Sequence, residues 1–594
     1  MKKKRKRRLA GCGIVLALVF SFFLYLGWQG LLGSGPLVRM RQGSSDTFIS
    51  PFYEARGVVH CHSTLSDGGR SIPEIGRIAD GLNLDFLWIT DHETLAGLTQ
   101  EGIYGGCRVL VGTEISTRQG HLLGLGVPET DYRMGGESSQ VVGDIRTLGG
   151  LSIITHPVNA RYFWTAPEWV RPDHIEVLDG DTAWRNASPW KIALGVPAYL
   201  INRKRAMLCL MSDPSEALTL WDKYLETGTM YGIAGVDAHE RIPFYRWTIP
   251  FPRYRDSLSL FQVHVHLDEP LQGPFKKDKK AILEGLRKGR FYSSVGTIGT
   301  AAGFSFSAFA RENGETAWMG ESLTCEGPVD LSAALPPLTD NVRFVLLKNG
   351  SPVAEMEGFN LKHAVTDPGV YRIEIYALSS KPFARRIPWI ISNPIRINFN
   401  GRPLEPPVAP PCGQGIFIEN FEGEGTPSFR LEAEPLSLAE TGPVQRASPG
   451  AAGSEHCISL PFKIPEPPGD EEDLFWALAD RTARDLTGAG GISFYIKTDK
   501  RLRLKLQVRD EDPQGQEGME WFSATFMSTP EWSCVTVPFS RLQCVSRGMN
   551  SRLDSSRIRG IFLIGDMRVL KPGTSGTVWL DEVHAFPSSE ETSR

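Results

Sequence analysis

The chain has 594 residues, of which 41% are hydrophobic and 22% charged, proportions typical of globular proteins. They exclude a disordered chain, a coiled coil and a multi-span membrane protein, and at about 150 residues per domain the length points to several domains. The net charge of −4 hides an asymmetry, because residues 2–8 are all Lys or Arg and the rest of the chain is acid-rich; an acidic body argues against a nucleic-acid or general anionic-membrane binder.

Residues 1–10 form a basic tail, and residues 11–32 carry no charge. About 20 apolar residues cross a bilayer core as a helix, so 11–32 reads as a transmembrane anchor. The basic run places the N-terminus in the cytoplasm and the body outside it. A cleaved signal peptide is the alternative, and it exports the body equally. Residues 33–50 are a polar linker. The nine cysteines include no Cys-x-x-Cys pair, which speaks against a disulfide framework. One or two bridges late in the chain, such as Cys534 with Cys544, are the most that is expected.

From 51 to 300, apolar runs at 57–60, 86–90, 109–112, 151–155, 174–178 and 231–236 alternate with helical patterns at 73–81, 140–148 and 214–226. Such alternation predicts a parallel sheet or a barrel. Residues 301–400 change character to short strands and turns, with Asn349-Gly350 as a hairpin signal, and read as an immunoglobulin-like β-sandwich. A Pro-rich linker at 401–415 is expected to leave the last domain with its own fold. Residues 416–587 carry regular short strands that predict a second β-sandwich or jelly roll, and 588–594 are a polar tail.

The chemistry gathers where the first domain's strands end. The runs finish in His60-Cys61-His62, Asp91-His92, Thr113-Glu114, His156-Pro157 and Asp237-Ala238-His239. Side chains two apart on a strand share a face, so His60 with His62, and Asp237 with His239, can each grip a common centre. Barrel enzymes place their active sites at strand C-termini, and mixed imidazole and carboxylate donors suit Zn, Mn or Fe. His264 and His266 also form an i, i+2 pair, but late in the barrel and with structural roles expected. His174 begins a strand and is expected at the opposite end. Arg161, Trp164, Trp184 and Arg185 follow strands and are candidates to line the pocket, the arginines as contacts for an anionic substrate.

These motifs, in this order, resemble those of the PHP (polymerase and histidinol phosphatase) superfamily. They are His60-Cys61-His62-Ser63, Ser66-Asp67-Gly68, Ile89-Thr90-Asp91-His92, Gly112-Thr113-Glu114-Ile115, Thr155-His156-Pro157 and Asp237-Ala238-His239. The resemblance implies a distorted seven-stranded (β/α) barrel with a centre of two or three divalent metal ions. By motif, the implied ligands are His60, His62, Asp67, His92, Glu114, His156, Asp237 and His239, with His121 as a ninth. Asp67 stands where some members have histidine. Asp91 is assigned the orientation of a ligand imidazole. The attacking group is then expected to be a metal hydroxide, with Asp237 and His239 the candidates to relay the proton. The C-terminal unit resembles galactose-binding-like, carbohydrate-binding sandwiches, which implies a structural Ca held by Glu419 and Asp581 and a glycan as partner.

The fold class expected is therefore α/β, a (β/α)7 barrel followed by an immunoglobulin-like sandwich and a C-terminal jelly roll. The function expected is a membrane-anchored, extracytoplasmic metal-dependent hydrolase, foremost a phosphoesterase acting on a small anionic substrate. An amide or ester hydrolase with the same centre is the chemical alternative. A catalytically silent carbohydrate-binding surface protein is the alternative from another class.

Overall fold

The computed structural model describes residues 20, 21, 23, 37–39 and 50–587, apart from 187–188, 245–246, 337–341, 380–385, 400–411, 414, 468–473, 517 and 547–552. The anchor expected at 11–32 lies almost wholly outside the described residues. Among the described residues, no helix is long and apolar enough to cross a membrane. Two compact units emerge, Met1–Pro128 with Ile145–Arg402, and Glu129–Asp144 with Pro403–Arg594.

The first unit is built on β1 (Tyr53–Val58), β2 (Phe86–Ile89), β3 (Cys107–Thr117), β4 (Gly120–Leu125), β5 (Leu151–Ile154), β6 (His174–Asp179), β7 (Tyr231–Gly235), β8 (Phe261–Leu267) and β9 (Phe291–Val295). Neighbours run in the order β9-β8-β1-β2-β3-β4-β5-β6-β7. The pairs β1–β2, β2–β3, β5–β6 and β6–β7 are parallel. A hairpin through β3, β4 and β5 interrupts them with antiparallel ladders. Past β7, Val236 N–H donates to Val59 O at 3.1 Å and Ala238 bridges Cys61, so the chain leaving β7 meets the chain leaving β1. The short strand β2 is buried at every residue, as parallel strands covered on both faces must be. Phe86, Trp88, Leu110, Leu123, Ile153, Ile233 and Val263 belong to one buried core; each such side chain contributes about 1.5–3 kcal/mol by leaving water.

Helix α1 (Ile72–Asp80) shows why the sequence folds locally as it does. The Ser71 N–H and hydroxyl both donate to the Glu74 carboxylate, at 3.0 and 2.7 Å, and Pro73 sits in the first turn, where its missing N–H costs nothing. Ile72, Ile75, Gly76 and Ala79 make the buried stripe, the spacing of one helical face.

The far end of the barrel is held by a half-buried carboxylate. Glu54 accepts from His264 Nδ1 at 2.8 Å, Tyr292 OH at 2.8 Å and Gly303 N–H at 2.9 Å. Burial opposes its charge, but His264 and these donors outweigh it and hold Glu54 at about 2. A carboxylate depressed in the folded state stabilises above its unfolded pKa, and that stability disappears as pH falls through the folded value. Glu54→Gln is therefore expected to cost roughly 2–3 kcal/mol at pH 7. The deficit relative to wild type should shrink between about pH 4.5 and 2, measured as the difference between the two urea unfolding curves.

Residues 301–400 do hold two sheets, but no physical break separates them from the barrel. Thr316–Trp318, Ser305–Ala310, Val329–Ala334 and Asn360–Val365 form one four-stranded sheet. The other continues the barrel sheet, because Ile390–Ser392 pairs antiparallel with β9. The Asn349-Gly350 turn joins Val342–Lys348 to Ser351–Gly358, with both turn residues at positive φ, 48° and 77°, the geometry that Asn-Gly favours.

The second unit is a β-sandwich of two six-stranded sheets. Residues 129–144, read from sequence as barrel, are part of it. Tyr132 bridges Leu570, and Asp131 O accepts from Thr574 Oγ1 at 3.1 Å. Asp144 pairs with Arg503 Nη1 at 2.7 Å, both buried. Cys534 forms its disulfide with Cys412 and not with Cys544; the Cys544 thiol instead points at Glu520 Oε1, 3.0 Å away.

Candidate metal centre

The nine donors expected from sequence come together at the strand ends as three overlapping groups. In each, the ligand atoms lie within 4.8 Å of one another: His60, His62, Glu114 and Asp237; Glu114, His121 and His156; and His62, Asp67, His92 and His239. His60 follows β1, His92 follows β2, His156 follows β5 and Asp237 follows β7, and Glu114 and His121 face each other across the β3–β4 hairpin. His60, His156 and Asp237 have left-handed backbone, with φ of 70°, 32° and 44°. Such positions cost about 1–3 kcal/mol each and cluster where function requires them.

Glu114 is the hub. Its two oxygens lie 3.2 Å from His60 Nε2, 3.2 Å from His62 Nε2, 3.3 Å from His92 Nδ1, 2.9 Å from His121 Nδ1 and 3.0 Å from His156 Nε2. A carboxylate offers about four lone-pair sites, so proton-mediated bonds to five imidazoles exceed its capacity. Shared cations do not meet that limit. Donors bound tetrahedrally at 2.0–2.1 Å stand about 3.3 Å apart. Asp237 Oδ1 lies 3.3 Å from His60 Nε2 and 3.1 Å from His62 Nε2, which fits that spacing. Both His62 ring nitrogens and Asp237 Oδ1 are buried without a conventional hydrogen-bond partner. The residues present therefore fit divalent cations.

The electrostatics carry the same sign. Burial alone would push the imidazoles down, yet Glu176, Asp237 and Glu114 raise His60 well above the ordinary range. The neighbouring Asp237 and Glu114 carboxylates outweigh burial and lift His62 to about 10, and Glu114 lifts His156 to about 9. The imidazoles around them drive Glu114 and Asp237 well below the usual carboxylate range, against the desolvation that opposes it. Asp67 is held at about 2 by His239, His62 and His92. Buried carboxylates here demand positive charge.

Access is graded. The His60, His62 and Glu114 side chains are at most 1% exposed, whereas His92 and Asp67 are 31% and 53% exposed. The group of Asp67, His92 and His239 is thus the open side.

Some residues sit differently from expectation. Asp91 orients no imidazole. Its oxygens accept from Ser63 N–H at 2.7 Å, Ser63 Oγ at 2.6 Å and Ser66 Oγ at 2.5 Å, fixing the loop that carries Asp67. The Arg161 guanidinium lies over the Tyr162 ring, itself 4.5 Å from the His121 ring. Arg185 is paired with Asp181. Trp164 is buried and donates to Tyr224 OH, and the Trp184 side chain lies outside the described residues. His264 and His266 lie within β8, with His264 bound to Glu54 and Ser294, and His174 Nε2 meets Leu286 O at 3.0 Å. In the second unit, Glu419 accepts backbone N–H groups of Asn420, Phe421 and Ser428, and Asp581 those of Ala451 and Glu582. Among the described residues no potential metal group contains either acid. The sequence reading missed Glu176 and Tyr162. Glu176 had a signal, as an acid set between the apolar Ile175 and Val177 of β6.

No protein-family model matches the chain. It is 36% identical over 83 residues to a 5′-3′ exoribonuclease of Haemophilus influenzae, 13% of this chain. It is 38% identical over 80 residues to a phosphoribosyl 1,2-cyclic phosphate 1,2-diphosphodiesterase of Eggerthella lenta, 12% of this chain. The chain spans 30% of the length of each of these curated relatives. Among solved structures, a two-domain Bacteroides vulgatus protein containing a predicted PHP-like metal-dependent phosphoesterase aligns over 61% of this chain and 99% of its own. The identity is 13% and the TM-score 0.29. The family 11 carbohydrate-binding module of a Clostridium thermocellum cellulosomal cellulase aligns over 29% of this chain and 94% of its own, at 15% identity and a TM-score of 0.23. With the motifs in order and their donors gathered at one barrel mouth, the first unit resembles the PHP superfamily.

Proposed function

We propose that the chain is a metal-dependent hydrolase acting on phosphoesters, with two or three divalent ions of the Zn, Mn or Fe type in the groups centred on Glu114. The observation that carries this reading is the sharing of Glu114 among five imidazoles. When bound, such ions supply Lewis acidity and make water nucleophilic near neutral pH. His60, His62, Glu114 and Asp237 would hold the deep ion, His121 and His156 its neighbour through Glu114, and Asp67, His92 and His239 the one at the open side. Three carboxylates do not neutralise two or three divalent charges. The mouth therefore favours an anionic substrate, and Arg161, over the Tyr162 ring that neighbours His121, and Arg185 are our candidates for its phosphate contacts. Asp237 and His239 are the candidates to carry a proton. The short matches to an exoribonuclease and to a cyclic phosphate diphosphodiesterase support this over amide or ester cleavage.

The anchor-like segment supports a site of action outside the cytoplasm, and the C-terminal sandwich a role in holding a glycan. The test uses the protein lacking residues 1–40, reconstituted with Mn or Zn, against p-nitrophenyl phosphate, bis(p-nitrophenyl) phosphate, p-nitrophenyl acetate and an anilide. Turnover of a phosphoester at least about tenfold above the acetate and anilide is expected. The reverse order would move the reading to an ester or amide hydrolase.

A further inference from the structure

Glu176 lies in the middle of β6 and is 1% exposed. Its two oxygens face in two directions. Oε1 accepts from His60 Nδ1 at 2.7 Å, and Oε2 accepts from the backbone N–H of His156 at 2.7 Å. The first contact leaves Nε2 as the coordinating nitrogen of His60, and Nε2 is the atom beside Glu114 and Asp237. The second pins the backbone of His156 at its φ of 32°. One buried carboxylate thus touches a donor of the deep group and a donor of its neighbour.

The surrounding chain is shaped to admit it. Gly235 ends β7, the strand next to β6, and a Cβ placed there would stand 1.8 Å from Glu176 Oε1. Any side chain at 235 would push the carboxylate off His60. His60, Glu176 and Asp179 could themselves be taken for a metal group, since their donor atoms lie close together. His60, however, already offers Nε2 to the deep group. Its Nδ1 is the proton-bearing nitrogen, and a hydrogen bond to Glu176 is what a proton there makes.

We propose that Glu176 is the positioning residue of the metal centre. It sets the His60 tautomer and the His156 backbone together, so that the two metal groups sharing Glu114 are assembled as a unit. This rests on the metal-hydrolase reading above.

Glu176→Gln separates positioning from bulk. Glutamine has nearly the same shape but only one acceptor oxygen. If its oxygen serves His156 N–H, its NH2 faces His60 Nδ1, and His60 is stable there only with its proton moved to Nε2, where coordination is blocked. Loss of such a partner costs about 10–100-fold in metal affinity or activity. The measurement is Zn affinity and stoichiometry by chelator competition on wild type and variant, with melting of the metal-free proteins and separate kcat and KM on bis(p-nitrophenyl) phosphate. Expected are at least about tenfold weaker binding of the tightest ion, a fall in kcat with KM within about twofold, and metal-free melting close to wild type. A variant that folds and binds Zn within twofold of wild type overturns the proposal. Glu176→Asp keeps the charge but reaches only one partner. It is expected to lie between the two in affinity, and wild-type affinity in it overturns the proposal even if the glutamine variant does not fold. Failure of wild type itself to bind Zn would instead overturn the metal-hydrolase reading, so the two failures are distinct.

Discussion

Replacing Asp237 with alanine is expected to lower phosphoester turnover by more than about 100-fold and to remove the most tightly bound ion while the protein stays folded. The bound on activity is conservative, because even residues that only support a ligand cost about 10–100-fold. Asp237 Oδ1 faces the Nε2 atoms of both His60 and His62, so its loss strips the deep group of half its carboxylate charge. Stability should change little, since that oxygen has no conventional hydrogen-bond partner. Asp237 also holds a left-handed backbone, which alanine tolerates poorly, so a decrease of about 1 kcal/mol is the expected ceiling. Elemental analysis, circular dichroism and initial rates on one preparation check all three statements. Full metal content together with lost turnover would instead make Asp237 a proton carrier and nothing more.

A second large effect is expected far from the chemistry. Arg503 is 1% exposed, and its charge is met by Asp144, with Gln140 Oε1 and Thr525 Oγ1 as neutral acceptors. Burial pushes Asp144 up to about 6 even beside Arg503, so desolvation is the larger force on it. Removing one partner of a buried pair strands the other charge and costs about 3–5 kcal/mol. Asp144→Ala should show that loss in urea unfolding of the second unit. Changing both residues to apolar ones of similar volume should recover most of it. The consequence for truncation follows directly. A fragment of 416–594 lacks Asp144 and the strand-like contacts of Tyr132, and it should be markedly less stable than the sequence pattern alone suggests.

The candidate donors were legible because the signals were local. An i, i+2 histidine pair on a strand and acids next to histidines at successive strand ends need no tertiary information to be noticed. Asp91 was expected to orient an imidazole, but its partners are Ser63 and Ser66, which reach it only once the loop after β1 folds back. Glu176 was missed for the same kind of reason. Its meaning depends on β5, β6 and β7 lying side by side and on the space left by Gly235. Spacing could not pair Cys534 with Cys412, 122 residues away, nor assign 129–144 to the second unit. The break drawn at residue 300 followed a real change from helix–strand alternation to short strands. The ladder between β9 and Ile390–Ser392 that erases it joins segments far apart in sequence.

The most direct measurement is anomalous diffraction from crystals of the protein lacking residues 1–40, soaked in Mn or Zn and collected at the metal edge. Strong peaks are expected between His60, His62, Glu114 and Asp237 and between Glu114, His121 and His156, with a further peak at Asp67, His92 and His239 at high occupancy. Crystals that show no peak within coordination distance of Glu114 at saturating metal, from protein that still hydrolyses bis(p-nitrophenyl) phosphate, would contradict a catalytic centre built on that residue.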